Sequence, residues 1–305
     1  MTVTMMLEPA LAEDLSEIHA LLSAARERGQ FDTTPSMERL AAVLGQQAGD
    51  ARVARVAGRI AGFVAVGAMG LVAPPSTQAA LLDIVTDDEQ LQAPLVDWAI
   101  ATAERLPSFR SLRTLRGRGV AGPAHFSKVR EIWRMDCDLT MPRPTPSRGD
   151  VDVVDYSTRT ITDDAWVQVI NESFAEHWGG YLPWTLERWR ERLASRGPVG
   201  LELMARQHSE PAGVILGHVS ERDDGRSSPA GFIEVVGTRP SHRRRGIAEV
   251  LVRSALDRFS QQGLHRALLM VDAGSSTRAA EVYTRCGFER TFRYAVWEVP
   301  LQRAR

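Results

Sequence analysis

Residues 231–248 read GFIEVVGTRPSHRRRGIA, and the organisation of the chain can be worked outward from them. An apolar run, Phe232 to Val236, reaches a Gly-Thr-Arg-Pro break. Arg243, Arg244 and Arg245 follow, and Gly246-Ile247-Ala248 then opens a long amphipathic segment. A strand that ends at the glycine-bearing start of a helix makes an anion site. The first helical N–H groups have no partners within the helix, and the helix dipole favours negative charge there. With three guanidinium groups in the same place, the stretch reads as a cradle for a diphosphate.

The rest of the composition sets limits. At 305 residues the chain is long enough for two domains. Apolar residues at 44% and charged residues at 25% are those of an ordinary globular protein. A formal net charge of −1 gives no global attraction for nucleic acid or an acidic membrane. Cys137 and Cys286 are the only cysteines and lie far apart, which supports neither a disulfide framework nor a zinc site, so no metal is expected. The N-terminal stretch has no basic region and acquires acids early, unlike a secretory signal. The longest apolar run, Ile60 to Pro74, is too short and glycine-rich to span a bilayer. The expected location is cytoplasmic.

A proline-rich segment, MPRPTPSRGD from Met141 to Asp150, divides the chain, because alternating prolines cannot continue a helix or a central strand. The expected organisation is one domain over 1–141, a linker over 142–150 and a second domain over 151–305. In the first domain, periodicity predicts a strand at 2–7, helices at 13–28 and 37–44, and strands at 52–57, 60–68 and 79–86. A helix at 91–106, a strand at 112–116, a helix at 125–134 and a strand at 135–141 complete it. The same order returns afterwards: strand 151–155, helices 165–177 and 185–195, strands 200–206, 212–220 and 231–236, helix 247–262, strand 266–271, helix 277–285 and strand 292–299. Two copies of one order point to internal duplication. The copies are unequal. Where the second has Thr238 to Ala248, the first has TDDEQLQAPL from Thr86, with three acids and no glycine or arginine. The first copy is therefore expected to lack a diphosphate loop.

Downstream of the cradle stand ALLMVDAG (Ala267 to Gly274) and then Ala279, Tyr283, Gly287 and Phe288 at regular intervals. With Arg243-x-x-Gly246-x-Ala248, these residues resemble the GNAT superfamily of acyl-CoA-dependent N-acetyltransferases. The resemblance covers roughly 151–300, and the first half resembles a degenerate GNAT copy by element order only. The fold it implies is an α/β (α+β mixed-sheet) architecture of two tandem GNAT-like domains, the first degenerate.

The resemblance also implies roles. Arg243, Gly246, Ile247 and Ala248 match the signature whose backbone N–H groups hold the diphosphate of acetyl-CoA. Arg244 and Arg245 either contact phosphates or are solvated. Val235, Val236 and Gly237 match the strand whose backbone pairs with the pantetheine arm. Tyr283 matches the tyrosine that protonates the departing thiolate, a task suited to a neutral phenol with an ordinary pKa near ~10. Seven residues earlier the family often has Asn, where this chain has Ser276, which is left to cap the helix or hold a cofactor oxygen.

Glu234 is an acid inside an apolar strand, and alternation places it on the face of Phe232 and Val236. Such a carboxylate is either paired or used. Two roles are open: general base for the amine, with its pKa raised by desolvation, or a structural salt bridge to an arginine. The acceptor is expected over the two helices after Val151, where His177, Trp178, Tyr181 and Trp184 form an aromatic, glycine-bearing link that walls a pocket or merely packs the helix pair. The implied activity is transfer of an acetyl group from acetyl-CoA to the primary amine of a small molecule. The alternatives are a non-catalytic acyl-CoA-binding sensor or scaffold and a protein N-acetyltransferase. No nucleic-acid or membrane partner is expected, and the assembly is a monomer or a homodimer.

Overall fold

The computed structural model describes residues 7–45, 49–68, 79–141, 149–176, 183–195, 200–220 and 229–302. In chain order these form β1 (Leu7–Pro9), α1 (Leu15–Glu27), α2 (Met37–Leu44), β2 (Gly49–Val56), β3 (Arg59–Gly67), β4 (Ala79–Thr86), α3 (Glu89–Glu104), β5 (Ser111–Gly117) and β6 (Ser127–Asp138). There follow β7 (Val151–Asp155), α4 (Asp163–Phe174), α5 (Leu186–Ser195), β8 (Leu201–Gln207), β9 (Glu210–Ser220), β10 (Ala230–Thr238), α6 (Ile247–Gln261), β11 (Arg266–Asp272), α7 (Ala279–Arg285) and β12 (Glu289–Pro300). The strand expected over 2–7 lies almost wholly outside the described residues, as does most of the proline-rich linker.

Two compact units divide the chain. One comprises Met1–Ile132, Arg222–Arg226 and Phe292–Arg305, and the other Trp133–Glu221 and Ser227–Thr291. They do not coincide with the two sequence halves. The end of β6 belongs to the second unit and most of β12 to the first, so the last strand of each half completes the sheet of the other unit.

In the first unit the strand order is β1-β2-β3-β4-β5-β12. Here β12 runs antiparallel to β5, from Tyr294 opposite Gly117 to Pro300 opposite Ser111. Helix α3 carries Leu91, Leu95, Ala99 and Ala103 at four-residue spacing, one stripe that packs on Val64, Val66, Ala80, Leu82 and Ile84. One sequence expectation is overturned here. Residues 125–134 do not form a helix; from Ser127 onward they are the first part of β6. Val129, Ile132 and Trp133 are mixed with Lys128, Arg130, Glu131 and Arg134 in no clear period, and pairing in the sheet, not a local pattern, makes the segment strand. The first copy consequently has no helix in the place where the second has α7.

In the second unit the order is β6-β11-β10-β9-β8-β7. Its sheet is covered on both faces, and alternation along each strand sorts the side chains. Leu203, Ala205, Ile215, Ile233 and Val236 join Leu251, Val252, Ala255, Leu256 and Phe259 of α6 on one face. Met204, Val214, Leu216 and Val235 join Trp166, Val169 and Ile170 of α4 and Trp189 of α5 on the other. Trp166 and Trp189 stack at 5.5 Å, and Tyr156 meets each edge-on. Such ring pairs add about 0.5–1.5 kcal/mol each beyond burial. Gly231 lets Phe259 lie on the strand: a Cβ there would stand 2.3 Å from the ring.

No helix among the described residues is long and apolar enough to cross a membrane. Among the same residues no group of His, Cys, Asp or Glu is arranged to hold a metal ion. Cys137 and Cys286 are both buried and form no disulfide.

Candidate functional site

The site begins where two strands part. β10 and β11 run parallel and pair only from Gly231 to Ile233, opposite Ala267 to Leu269. From Val235 to Thr238, β10 pairs with β9 alone, so its other edge carries unpaired backbone groups for an extended ligand to meet. Val235, Val236 and Gly237 lie on this stretch, where the sequence placed them. Gly237 also passes close to α4: a Cβ there would come within 2.8 Å of the Ser173 side chain.

The ladder with β9 shifts register between Ile233 and Val235, which makes Glu234 the extra residue of a β-bulge. This corrects the simple alternation. Glu234 keeps the face of Phe232, but the bulge puts Val235 on that same side and turns Val236 to the opposite core.

Beyond β10 the chain makes a short 3-10 turn, Pro240–His242, and enters α6. Arg239 is spent on structure: it holds Glu172 at 2.6 Å and the Pro211 carbonyl at 3.1 Å. Arg243 reaches the carbonyls of Thr238 and Ser173 at 3.4 and 3.3 Å and the Glu176 carboxylate at 3.4 Å. Arg245 donates to Gln207 at 3.3 Å. Arg244 is exposed and holds a left-handed backbone, φ 62°, that a non-glycine residue adopts at a cost. No hydrogen bond or ion pair of its side chain occurs among the described residues. Gly246, at φ 77°, is the N-cap of α6 and supplies no side-chain cap. The first N–H groups of the helix, at Ile247 and Ala248, are thus left to a ligand. In the first copy the corresponding helix start is already closed, because the Asp88 carboxylate accepts from Gln90 N at 2.9 Å and Asp87 and Glu89 flank it.

Tyr283 lies on α7, 8% exposed, edge-on to Phe288 at 6.0 Å. Burial, with a smaller contribution from Cys286, pushes its phenol well above the ordinary value, so it stays neutral. Its hydroxyl has no hydrogen-bond partner among the described residues. Ser276 is exposed in the turn before α7 and does not cap it; Arg278 is the N-cap residue, and Ser275 Oγ instead accepts from Thr277 N at 3.4 Å. The capping role open to Ser276 is therefore not taken up.

Glu234 has company that sequence reasoning missed. Its Oε2 meets Arg192 Nη1 from α5 at 2.5 Å, and its Oε1 meets His218 Nδ1 from β9 at 3.1 Å. Arg192 also approaches Glu202 on β8 at 3.8 Å, and His218 lies against the Phe232 ring at 5.4 Å. Burial pushes the Glu234 carboxyl up, but the His218 hydrogen bond and the charges of Arg192 and His218 outweigh it and hold the group below the usual carboxylate range. The raised pKa expected from desolvation is thus reversed. The only sequence signals were Glu202 and His218 themselves, polar residues in apolar strands.

Trp184 packs: it meets Trp189 edge-on at 6.1 Å, lies under Arg188 at 4.7 Å, and exchanges backbone hydrogen bonds with the Asn171 side chain at 2.7 and 3.0 Å. His177, Trp178 and Tyr181, expected beside the acceptor, lie outside the described residues.

With this geometry in place, comparisons with known proteins are specific. Residues 164–288 match the model of the Acetyltransferase (GNAT) family. A protein of Thermobispora bispora called mycothiol acetyltransferase is 29% identical over 171 residues, 54% of this chain and 56% of that protein. One of Acidimicrobium ferrooxidans with the same name is 32% identical over 142 residues, 45% of this chain and 44% of that protein. The chain thus spans about half the length of the curated relatives it matches. A GCN5-related N-acetyltransferase from Sphaerobacter thermophilus superposes over 99% of this chain and 97% of its own, with a TM-score of 0.78 and 22% identity. A tandem GNAT protein from the clavulanic acid biosynthesis pathway superposes over 99% and 100%, with a TM-score of 0.69 and 16% identity. The chain has the fold of tandem GNAT proteins, and within it residues 164–288 are similar to the acetyltransferase (GNAT) family.

Proposed function

We propose that the second GNAT domain transfers an acetyl group from acetyl-CoA to the primary amine of a small molecule by direct attack. The observation that carries this reading is the open edge of β10 from Val235 to Thr238, which ends at an uncapped, arginine-rich helix start. An extended acyl-pantetheine arm fits the edge through backbone hydrogen bonds. Its diphosphate fits the N–H groups of Ile247 and Ala248 and the guanidinium groups of Arg243, Arg244 and Arg245. In this reading a backbone N–H near Val236 stabilises the developing oxyanion, Glu234 supplies the carboxylate of the proton-accepting centre, and Tyr283 gives its proton to the thiolate. The relatives named mycothiol acetyltransferase make deacetylated mycothiol one acceptor to include in a panel of small amines.

The ion pair of Glu234 with Arg192 favours a second reading, in which the domain binds acyl-CoA without turnover and Glu234 is structural. Titration calorimetry with acetyl-CoA, followed by a thiol-release assay across the amine panel, separates the two. Micromolar-range binding with amine-dependent thiol release supports the transferase. Binding without release from any amine supports the sensor, and absence of binding removes both.

A further inference from the structure

Glu234 is poorly placed to take a proton itself. Both of its oxygens are engaged, one by Arg192 and one by His218, and its acidity is enhanced. A carboxylate so held is suited to a different task, which is to orient an imidazole. Facing a carboxylate, His218 Nδ1 carries the ring proton, and the lone pair then resides on Nε2. Among the described residues the His218 side chain makes its polar contact with Glu234 and its ring contact with Phe232, which leaves Nε2 without a hydrogen-bond partner there. The side chain is 35% exposed, on the strand directly opposite Phe232 and beside the bulge where β10 leaves β11.

We infer that His218 Nε2 is the atom that takes the proton from the acceptor amine, and that Glu234 is its positioning residue. This rests on the transferase reading above. The incoming ammonium gives one proton to Nε2, directly or through one water, and its nitrogen pair then forms the bond to the thioester carbonyl carbon. The carbon–sulfur bond breaks, and the sulfur receives a proton from the Tyr283 hydroxyl. The second proton lost from the nitrogen restores that tyrosine through solvent, while the imidazolium releases the first to water. The products are the amide, the free thiol and one proton, with no oxidant or reductant required.

The charged groups around the imidazole fit this role. The imidazole faces Glu234 on β10, and Arg192 on α5 is shared between Glu234 and Glu202 on β8. On α4, Asp163 is turned to Tyr156 and Trp189, and Glu172 to Arg239.

The test compares wild type, His218→Asn, His218→Ala and Glu234→Gln in three measurements. In kcat/KM against pH, the wild type is expected to show an acidic limb. His218→Asn should remove that limb and lower kcat/KM by about 10²–10³-fold while calorimetric affinity for acetyl-CoA is unchanged. Added imidazole should restore part of the rate to His218→Ala. Glu234→Gln should keep the limb with a lower kcat/KM, whereas loss of the proton acceptor itself would remove it. Nitrogen chemical shifts of His218 should show the Nδ1–H tautomer in wild type and its loss in Glu234→Gln. An unchanged limb in His218→Asn with normal turnover overturns the assignment to His218 and leaves the transferase reading standing. An Nε2–H tautomer in wild type does the same. The expected tautomer with neither acetyl-CoA binding nor turnover overturns the transferase reading and this step with it.

Discussion

In the first unit the Arg116 guanidinium donates to the Ile84 carbonyl at 3.1 Å, and the Gln30 amide donates to the same oxygen at 3.1 Å. Ile84 lies on β4 beyond Leu81, where the parallel pairing of β4 with β5 has already ended. This is the counterpart of the open edge of β10, and here the protein's own side chains fill it. Arg116 is 4% exposed, and burial lowers its pKa to about 10 despite the nearby Asp83. Together with the Asp88 cap on α3, this plug of side chains fills in the first unit the strand edge and helix start that the second unit leaves open.

Calorimetry with acetyl-CoA should therefore give one site per chain. Arg116→Met should cost about 1–3 kcal/mol in urea denaturation, because it takes a buried donor from the Ile84 carbonyl. It should not create a second binding site. Two sites in wild type would show that the plug is no barrier.

Tyr283→Phe keeps the packing against Phe288 and removes only the unpartnered hydroxyl. It should lower kcat by about 10²-fold and leave acetyl-CoA affinity unchanged. A rate equal to wild type would assign the thiolate's proton to water.

Gly246 and Gly263 both hold left-handed backbone, φ 77° and 79°, at the start and just past the end of α6. Alanine at either position should cost about 1–2 kcal/mol through the same strain. Only Gly246→Ala should also weaken acetyl-CoA binding, since only that end meets the diphosphate in the proposed site. Equal loss of affinity from both variants would point to a general loosening of α6.

Carboxylates held below the usual range, Glu172, Glu234 and Glu249 among them, make the second unit acid-sensitive. Burial raises the Glu172 carboxyl, but hydrogen bonds from Arg239 and Gln168 prevail and lower it; Glu234 is lowered in the same manner by His218 and Arg192. A folded-state pKa below the unfolded value of about 4.3 contributes stability that is present above that value and lost as pH falls through the folded one. The melting temperature should fall steeply below about pH 4.5, and Glu172→Gln should flatten that fall. Parallel curves for the two proteins would show that Glu172 has no part in it.

Much of this molecule was written locally. GFIEVVGTRP followed by RRRGIA announces a strand, a break and an uncapped helix start, because glycine, proline and charge act within a few residues of themselves. The acids after Thr86 announce a closed helix start for the same reason, and Tyr283 stands on its helix through spacing alone. What the sequence could not disclose depends on partners distant along the chain. The bulge at Glu234 exists only in register with β9, and it reassigns Val235 and Val236 between two cores. The acidity of Glu234 is set by His218 and by Arg192, 42 residues earlier, which no periodicity brings together. Residues 127–134 became strand because neighbouring strands supply hydrogen bonds that a lone segment lacks. The exchange of final strands between the two units followed, since a strand takes its place from whichever edge accepts it. Local chemistry determined where a strand would break and a helix start would stay uncapped; only the tertiary ladder decided which side chains surround Glu234.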